Sequence, residues 1–266
     1  MKPDTPTLGA AVRGALSPAL LPGCVLLACA LLAEVLVRAG WTPATIAAPS
    51  GVWATLREEH AALWLQAEPT IVTAVWGCLI ASALALALGY LVYLVKRLET
   101  LVVTAGAVLS SIPIIAIAPV LIVWMGLSLS TRIAITTVIC LFPMLVSVVQ
   151  GLNAGHKNSN ELFTVMAATP LQRLRLLAFP SALPYIFMGL KISAPLAVLG
   201  ALVAEWTGAE TGLGVTMLSA MFSLQVGRLW ASVLLTCVLS AGAYGYVCLL
   251  ERLAIDAGRR ADGSRA

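Results

Sequence analysis

The chain has 266 residues, 60% of them hydrophobic and 11% charged, with a mean hydropathy of +0.97 and a formal net charge of +4. Soluble domains carry roughly 25% charged residues, so a bilayer must serve as solvent for much of this surface, which excludes a soluble enzyme or binding module. The apolar runs are long and unbroken, which excludes a β-barrel with its alternating segments of about ten residues, and the fold class is all-α and polytopic.

In chain order, charge-free runs mark the spans. Gly14–Ala33, Pro69–Val95, Thr100–Thr131, Ile133–Gly155 and Leu229–Leu250 each reach the roughly 20 residues that cross about 30 Å of hydrocarbon. Phe187–Trp206 makes a sixth if Lys191 snorkels to one interface and Glu205 lies near the other. Thr211–Gly227, with Gly212, Gly214 and several hydroxyl side chains, reads as a short re-entrant or interfacial helix.

With the N-terminus inside, only Arg38, Arg57, Arg132 and Arg228 of the 16 Lys and Arg residues fall outside; the other twelve lie on the cytoplasmic side. Six transmembrane helices with both termini cytoplasmic therefore fit the positive-inside rule, and the net charge reports topology in a lipid membrane rather than nucleic-acid binding. Lys2 and Arg13 ahead of an apolar run also resemble the basic region of a signal peptide, but the length of the run favours a retained first helix. The expected organisation is a cytoplasmic tail and first span over 1–48, a core of five spans over 49–253, and a basic cytoplasmic tail over 254–266.

Between the first two spans, Pro49-Ser50-Gly51 breaks the chain, and Val52–Ala67 reads as an interfacial helix on the outer surface, with Trp53 and Trp64 as aromatic anchors. Glu34 stands four residues before Arg38 and can pair with it. The third span is too long for one straight crossing and contains Ser110-Ser111-Ile112-Pro113 and Pro119. Pro113 removes a backbone donor, and Ser110 or Ser111 can bond a freed carbonyl. Two readings stay open: a kink that lets a long helix fit, or a bend that lines a pathway. Glu205, before Trp206, is either an outer-interface residue paired with Arg228 or water, or a functional carboxylate of the path.

Cys24, Cys29, Cys78, Cys140, Cys237 and Cys248 all lie in apolar segments without a C-x-x-C pair, and read as small buried hydrophobes. His60 and His156 sit in different loops. No catalytic residue, metal cluster or cofactor site suggests itself, and there is no G-x-x-x-x-G-K-[ST] phosphate loop for ATP.

The polar segment 156–183 is the longest between spans on the cytoplasmic side. It runs NSNELFTVMAATPLQRLRLLAFPSALP from Asn158 to Pro184. This segment resembles the cytoplasmic coupling loop of ABC importer permeases, built around a Glu-Ala-Ala-x-x-x-Gly core. Ile112-Pro113, Ile117-Ala118-Pro119 and Trp124-Met125-Gly126 match the same family's pattern, and the likeness extends from Pro49 to Leu253. Counting back from Pro180, the family's Gly falls on Ala167 and its Glu on Glu161; Leu162-Phe163 stand for the Ala-Ala, and Ala168-Thr169 for a small pair. Ala167 lacks the freedom of Gly at a positive-φ turn, but Thr169 as N-cap with Pro170 at the first helical position compensates. Two short helices, Glu161–Met166 and Leu171–Leu177, are expected around a turn near Arg173 and Arg175, before a repeated turn at Phe179–Pro184.

The resemblance implies a type I ABC importer permease fold in a bacterial inner membrane, with no enzyme activity and no cofactor of its own. It implies an ATP-binding subunit docked through Glu161, Ala167, Ala168, Thr169, Pro170, Arg173 and Pro180. It also implies an extracytoplasmic solute-binding protein and a second permease copy, with Ser110, Pro113 and Glu205 against the path. General likeness is to nitrate, sulfonate and taurine permeases. Gly200–Trp206 followed by Gly212-Leu213-Gly214 looks more like importers of vitamin precursors, such as the thiamine pyrimidine moiety, or of riboflavin. The alternative of another class is an ion-coupled secondary transporter, which would need mid-span charges and two related halves.

Overall fold

The computed structural model describes residues 20–154, 163, 166 and 168–263, and every regular element among them is helical. The helices are α1 (Leu20–Arg38), α2 (Pro49–Glu58), α3 (His60–Leu94), α4 (Glu99–Ser111), α5 (Ile114–Met125), α6 (Leu129–Asn153), α7 (Pro170–Arg173), α8 (Phe179–Trp206), α9 (Leu213–Phe222) and α10 (Val226–Gly263). Among the described residues, four helices are long and apolar enough to cross a membrane, and a fifth span results if the bent pair α4–α5 counts as one. The first expected span, Gly14–Ala33, lies partly outside the described residues.

The chain forms two compact units: the described residues up to His60 with Ala220–Ala231, and Ala61–Ser219 with the described residues from Ser232 on. In the first, Glu34 takes Arg38 at 2.6 Å, the pairing expected from their spacing. The same carboxylate accepts from the Ser50 amide at 2.9 Å and hydroxyl at 2.6 Å, and so caps the start of α2, where Pro49 supplies a preset φ. Arg228 pairs with Glu59 at 3.1 Å, and the Trp230 indole donates to the Thr45 carbonyl at 3.0 Å. The interfacial helix expected over Val52–Ala67 is shorter than that. It ends at Glu58, and residues from His60 already belong to α3. Trp53 and Trp64 are both exposed, and Arg57 lies 5.1 Å over the Trp53 ring.

In the second unit, α6 packs along α8, with α3 against both, and small residues set the spacing. A Cβ on Gly189 would come within 2.8 Å of the Ser147 Cβ, so something there must shift, and one on Gly200 would lie 3.1 Å from the Thr136 Cα, tighter than an ordinary contact. Ala81, Ala85, Ala182, Ala197 and Ala201 fill the same seams, all fully or nearly fully buried. Lipid tails are as apolar as leucine, so close packing of small residues and interhelical hydrogen bonds hold such helices together. Here Thr137 donates to the Gly77 carbonyl at 3.3 Å, and Ser193 and Cys140 exchange bonds at 3.4 Å. Each such bond is worth only about 0.6 kcal/mol, so the close approach carries more of the association.

Three sequence expectations are corrected. The long third span is two helices meeting at 95° rather than one kinked helix. Pro113 cannot donate and takes the N-cap of α5, Ile112 is extended, and Gly126 ends α5 at φ 74°. Second, Phe179–Pro184 is not a turn: α7, a single π turn over Leu174–Ala178, and α8 follow without interruption, so the expected helix Leu171–Leu177 continues into the span. Pro180 lies inside this continuous run, just after the π turn, where its missing amide leaves one helical carbonyl without its usual donor. Third, of the cysteines only Cys140 is buried; Cys24, Cys29 and Cys237 are exposed on apolar helix faces. Lys191 pairs with Glu251 of α10 at 2.5 Å in place of snorkelling alone.

Candidate functional site

Glu205 is the penultimate residue of α8 and is 1% exposed. The Thr70 hydroxyl of α3 donates to its Oε1 at 2.7 Å, and the Gly214 amide donates to its Oε2 at 2.7 Å. Thr70 Oγ1 in turn accepts from the Leu213 amide at 3.0 Å, and Gln66 Oε1, one turn earlier on α3, accepts from the Gly212 amide at 2.8 Å. Three successive amides at the start of α9 are thus satisfied by side chains of α3 and α8. Gly212 is required here: its φ is 136°, and a Cβ would run into the Glu205 carboxylate. The short helix expected over Thr211–Gly227 is therefore α9, ten residues long and unable to span.

The sequence singled out Glu205 but paired it with Arg228 or water; the structure gives it Thr70 and Gly214, while Arg228 takes Glu59. Gln66 and Thr70 were missed, and Gly214, named only as a glycine after the span, was not linked to Glu205. Gln66 and Thr70 stand four apart on one face of α3, which is the signal that would have found them.

Ser110 and Pro113 sit at the α4–α5 bend, and both are exposed. Both Ser110 and Ser111 donate back to the Ala107 carbonyl, at 2.9 and 2.8 Å. Glu205 is not brought to them by any hydrogen bond among the described residues.

At the opposite end of α6, Lys96, Glu99 and Asn153 form a closed triangle. Lys96 donates to Asn153 at 2.6 Å and pairs with Glu99 at 3.2 Å, and Asn153 donates to Glu99 at 3.1 Å. Asn153 is the last residue of α6, just before the polar segment 156–183. Of that segment, Glu161 and Ala167 lie outside the described residues. The Thr169 amide donates to Gln172 Oε1 at 2.8 Å, and the Gln172 amide to Thr169 Oγ1 at 3.3 Å, a reciprocal capping box that starts α7 at Pro170. The Ala168 amide donates to the Phe163 carbonyl at 3.0 Å, and Arg173 reaches the same carbonyl at 3.4 Å. Pro180 follows in the same helical run.

Residues 69–254 match the family described as binding-protein-dependent transport system inner membrane component. A formylaminopyrimidine transport permease protein of Halalkalibacterium halodurans is 34% identical over 64% of this chain and 70% of its own length. A putative aliphatic sulfonates transport permease protein of Bacillus subtilis is 27% identical, over 69% and 66%. A riboflavin transport system permease protein of Chloroflexus aurantiacus is 27% identical over 60% of each chain.

Proposed function

The chain belongs to the family of binding-protein-dependent transport inner membrane components, the permease components of ABC transporters, and from that premise we propose that it is the solute passage of an ATP-driven importer. The family implies a separate ATPase and a solute-binding protein as partners. A second copy of this chain completes the passage, both termini face the cytoplasm, and residues 49–253 form the working core.

The observation that carries the reading is the helical continuity from Pro170 to Trp206. The capped start of α7 leads without a break into α8, which packs along α6. A force applied at Glu161–Arg175 by a docked ATPase is then delivered to the packed spans by a rigid lever rather than a slack loop. The resemblance assigns Ala167 and Ala168 to the docking element; Thr169 and Pro170 fix the start of its described helix, Arg173 ties that helix to Phe163, and Pro180 follows within the same helical run. Ser110 and Pro113 line the path at the α4–α5 bend. Glu205 serves the path as a positioning residue that holds α9 to α3.

The similarity at 34% to a formylaminopyrimidine permease supports a pyrimidine vitamin precursor as the solute, with riboflavin as a relative of the same kind. A sulfonate, taurine or nitrate is the second reading, favoured by the 27% relative. Co-purification of the ATPase tests the coupling. Glu161→Lys creates a like-charge contact where the family carries an acid, at a cost of several kcal/mol of association. The expected result is loss of the ATPase with the permease still inserted. A variant that keeps its ATPase and transports normally contradicts the assignment of the loop.

A further inference from the structure

Both ends of the coupling segment are fastened, but by different means. On its C-terminal side the run from α7 into α8 carries Ala178 and Ala182 into a buried cluster with Val148 and Leu152 of α6. A Cβ on Gly151 would lie 3.1 Å from the Ala182 Cα, so α6 and α8 meet almost backbone to backbone there. Packing this close passes displacement on, because a dense core has little slack.

The helix α4 is held differently. It buries no residue: Val102 and Val103 only border the cluster, and Gly106 faces Phe142 of α6. Yet α4 leads to the Ser110–Pro113 bend, with Ser110 about 16 Å beyond its first residue at the helical rise. Its start is fastened by the triangle of Lys96, Glu99 and Asn153. Asn153, the last residue of α6, uses both ends of its amide: the oxygen accepts from Lys96 at 2.6 Å and the nitrogen donates to Glu99 at 3.1 Å. Lys96 closes the ring to Glu99 at 3.2 Å. Lys96 opens the 3-10 turn Lys96–Leu98 between α3 and α4, and Glu99 is the first residue of α4. The charges suit the helix ends, with a cation at the close of α6 and an anion at the opening of α4. Both side chains are exposed enough that their ion pair adds little stability. What three mutual bonds add is a fixed geometry between the last residue of α6 and the first of α4.

We propose that Lys96, Glu99 and Asn153 are positioning residues for transport: they make α4 follow the end of α6, so that a displacement imposed at the coupling segment reaches the Ser110–Pro113 bend. The proposal rests on the reading of the chain as the passage of an ATP-driven importer and names a route from the docked ATPase to the path. An amide suits position 153 because it accepts from the ammonium and donates to the carboxylate at once; a carboxylate of the same shape cannot donate.

The test is the rate at which iodoacetamide labels a cysteine placed at Ser110, read at that residue by peptide mass spectrometry. It is measured on the purified permease–ATPase complex in lipid, with ATP and magnesium and, separately, with ADP. With the triangle intact the two rates should differ. Asn153→Asp sets two carboxylates together and Glu99→Lys sets two ammonium groups together, and each should make the two rates equal. The ATPase should still co-purify with both variants, and their unfolding midpoints should stay near wild type. Lys96→Glu combined with Glu99→Lys restores opposite charges, with the Asn153 amide turned over, and should regain most of the difference. The proposal is overturned if the difference persists in both single variants or is absent with the triangle intact. It is equally overturned if the single variants lose the ATPase or their midpoints fall, or if the charge exchange regains nothing. When the ATPase co-purifies with wild type in any of these events, the importer reading stands and only the route fails; a wild-type chain that binds no ATPase overturns both.

Discussion

Thr70 carries more than one duty: its hydroxyl donates to Glu205 and accepts from the Leu213 amide. Thr70→Val keeps the shape but leaves a buried carboxylate oxygen and a buried amide without partners, at about 1–3 kcal/mol for each group. The expected result is a lower thermal unfolding midpoint of the purified protein in detergent. An unchanged midpoint would mean that the clamp does not stabilise the fold. Gly212→Ala should be at least as damaging, because it combines a strained φ with a clash against the same carboxylate. At this scale the sequence was only partly legible. Glu205 stood out as a charge beside an apolar run, but its Thr70 partner is 135 residues away and leaves no local trace.

The α4–α5 pair is the element that sequence reading resolved least. Two prolines in a long apolar run are compatible with a kinked crossing or a break, and only the packing around Pro113 separates a mild bend from 95°. Helix starts were clearer: Thr169-Pro170 announced α7 through its N-cap and first-turn proline, whereas Phe179–Pro184 misled because two prolines four apart read like a turn although the helix runs through them. If Ser110 and Pro113 line the path, a cysteine at Ser110 should react with a small polar thiol reagent at a rate that changes with nucleotide. Protection that is complete and independent of nucleotide would assign the bend to packing alone. The seam between α6 and α8 makes a separate prediction. Gly189→Val adds bulk 2.8 Å from Ser147, and overpacking of this kind costs about 1–3 kcal/mol. Its unfolding midpoint should fall, and a midpoint equal to wild type would show that the helices separate at no cost.

At the scale of the whole molecule, composition pointed to a bilayer as solvent, and the long unbroken apolar runs pointed to helices rather than a barrel. Charge gaps located the long helices well: the expected span Ile133–Gly155 corresponds to α6, and Leu229–Leu250 lies within α10. What they did not fix is how many helices cross, because α1 begins at the edge of the described residues and α4–α5 is bent. Topology is open to a direct check: a reporter fused after Ala261 should be active only if it works in the cytoplasm, and activity of a periplasmic reporter there would contradict six spans. The central claim is that this chain moves solute only when a separate ATPase drives it. Reconstitution into proteoliposomes, with the ATPase and the solute-loaded binding protein added one at a time, tests it most directly. Solute should accumulate only with ATP and all three components present, with hydrolysis confined to the ATPase. Accumulation by this chain alone, driven by an ion gradient without ATP, would contradict it.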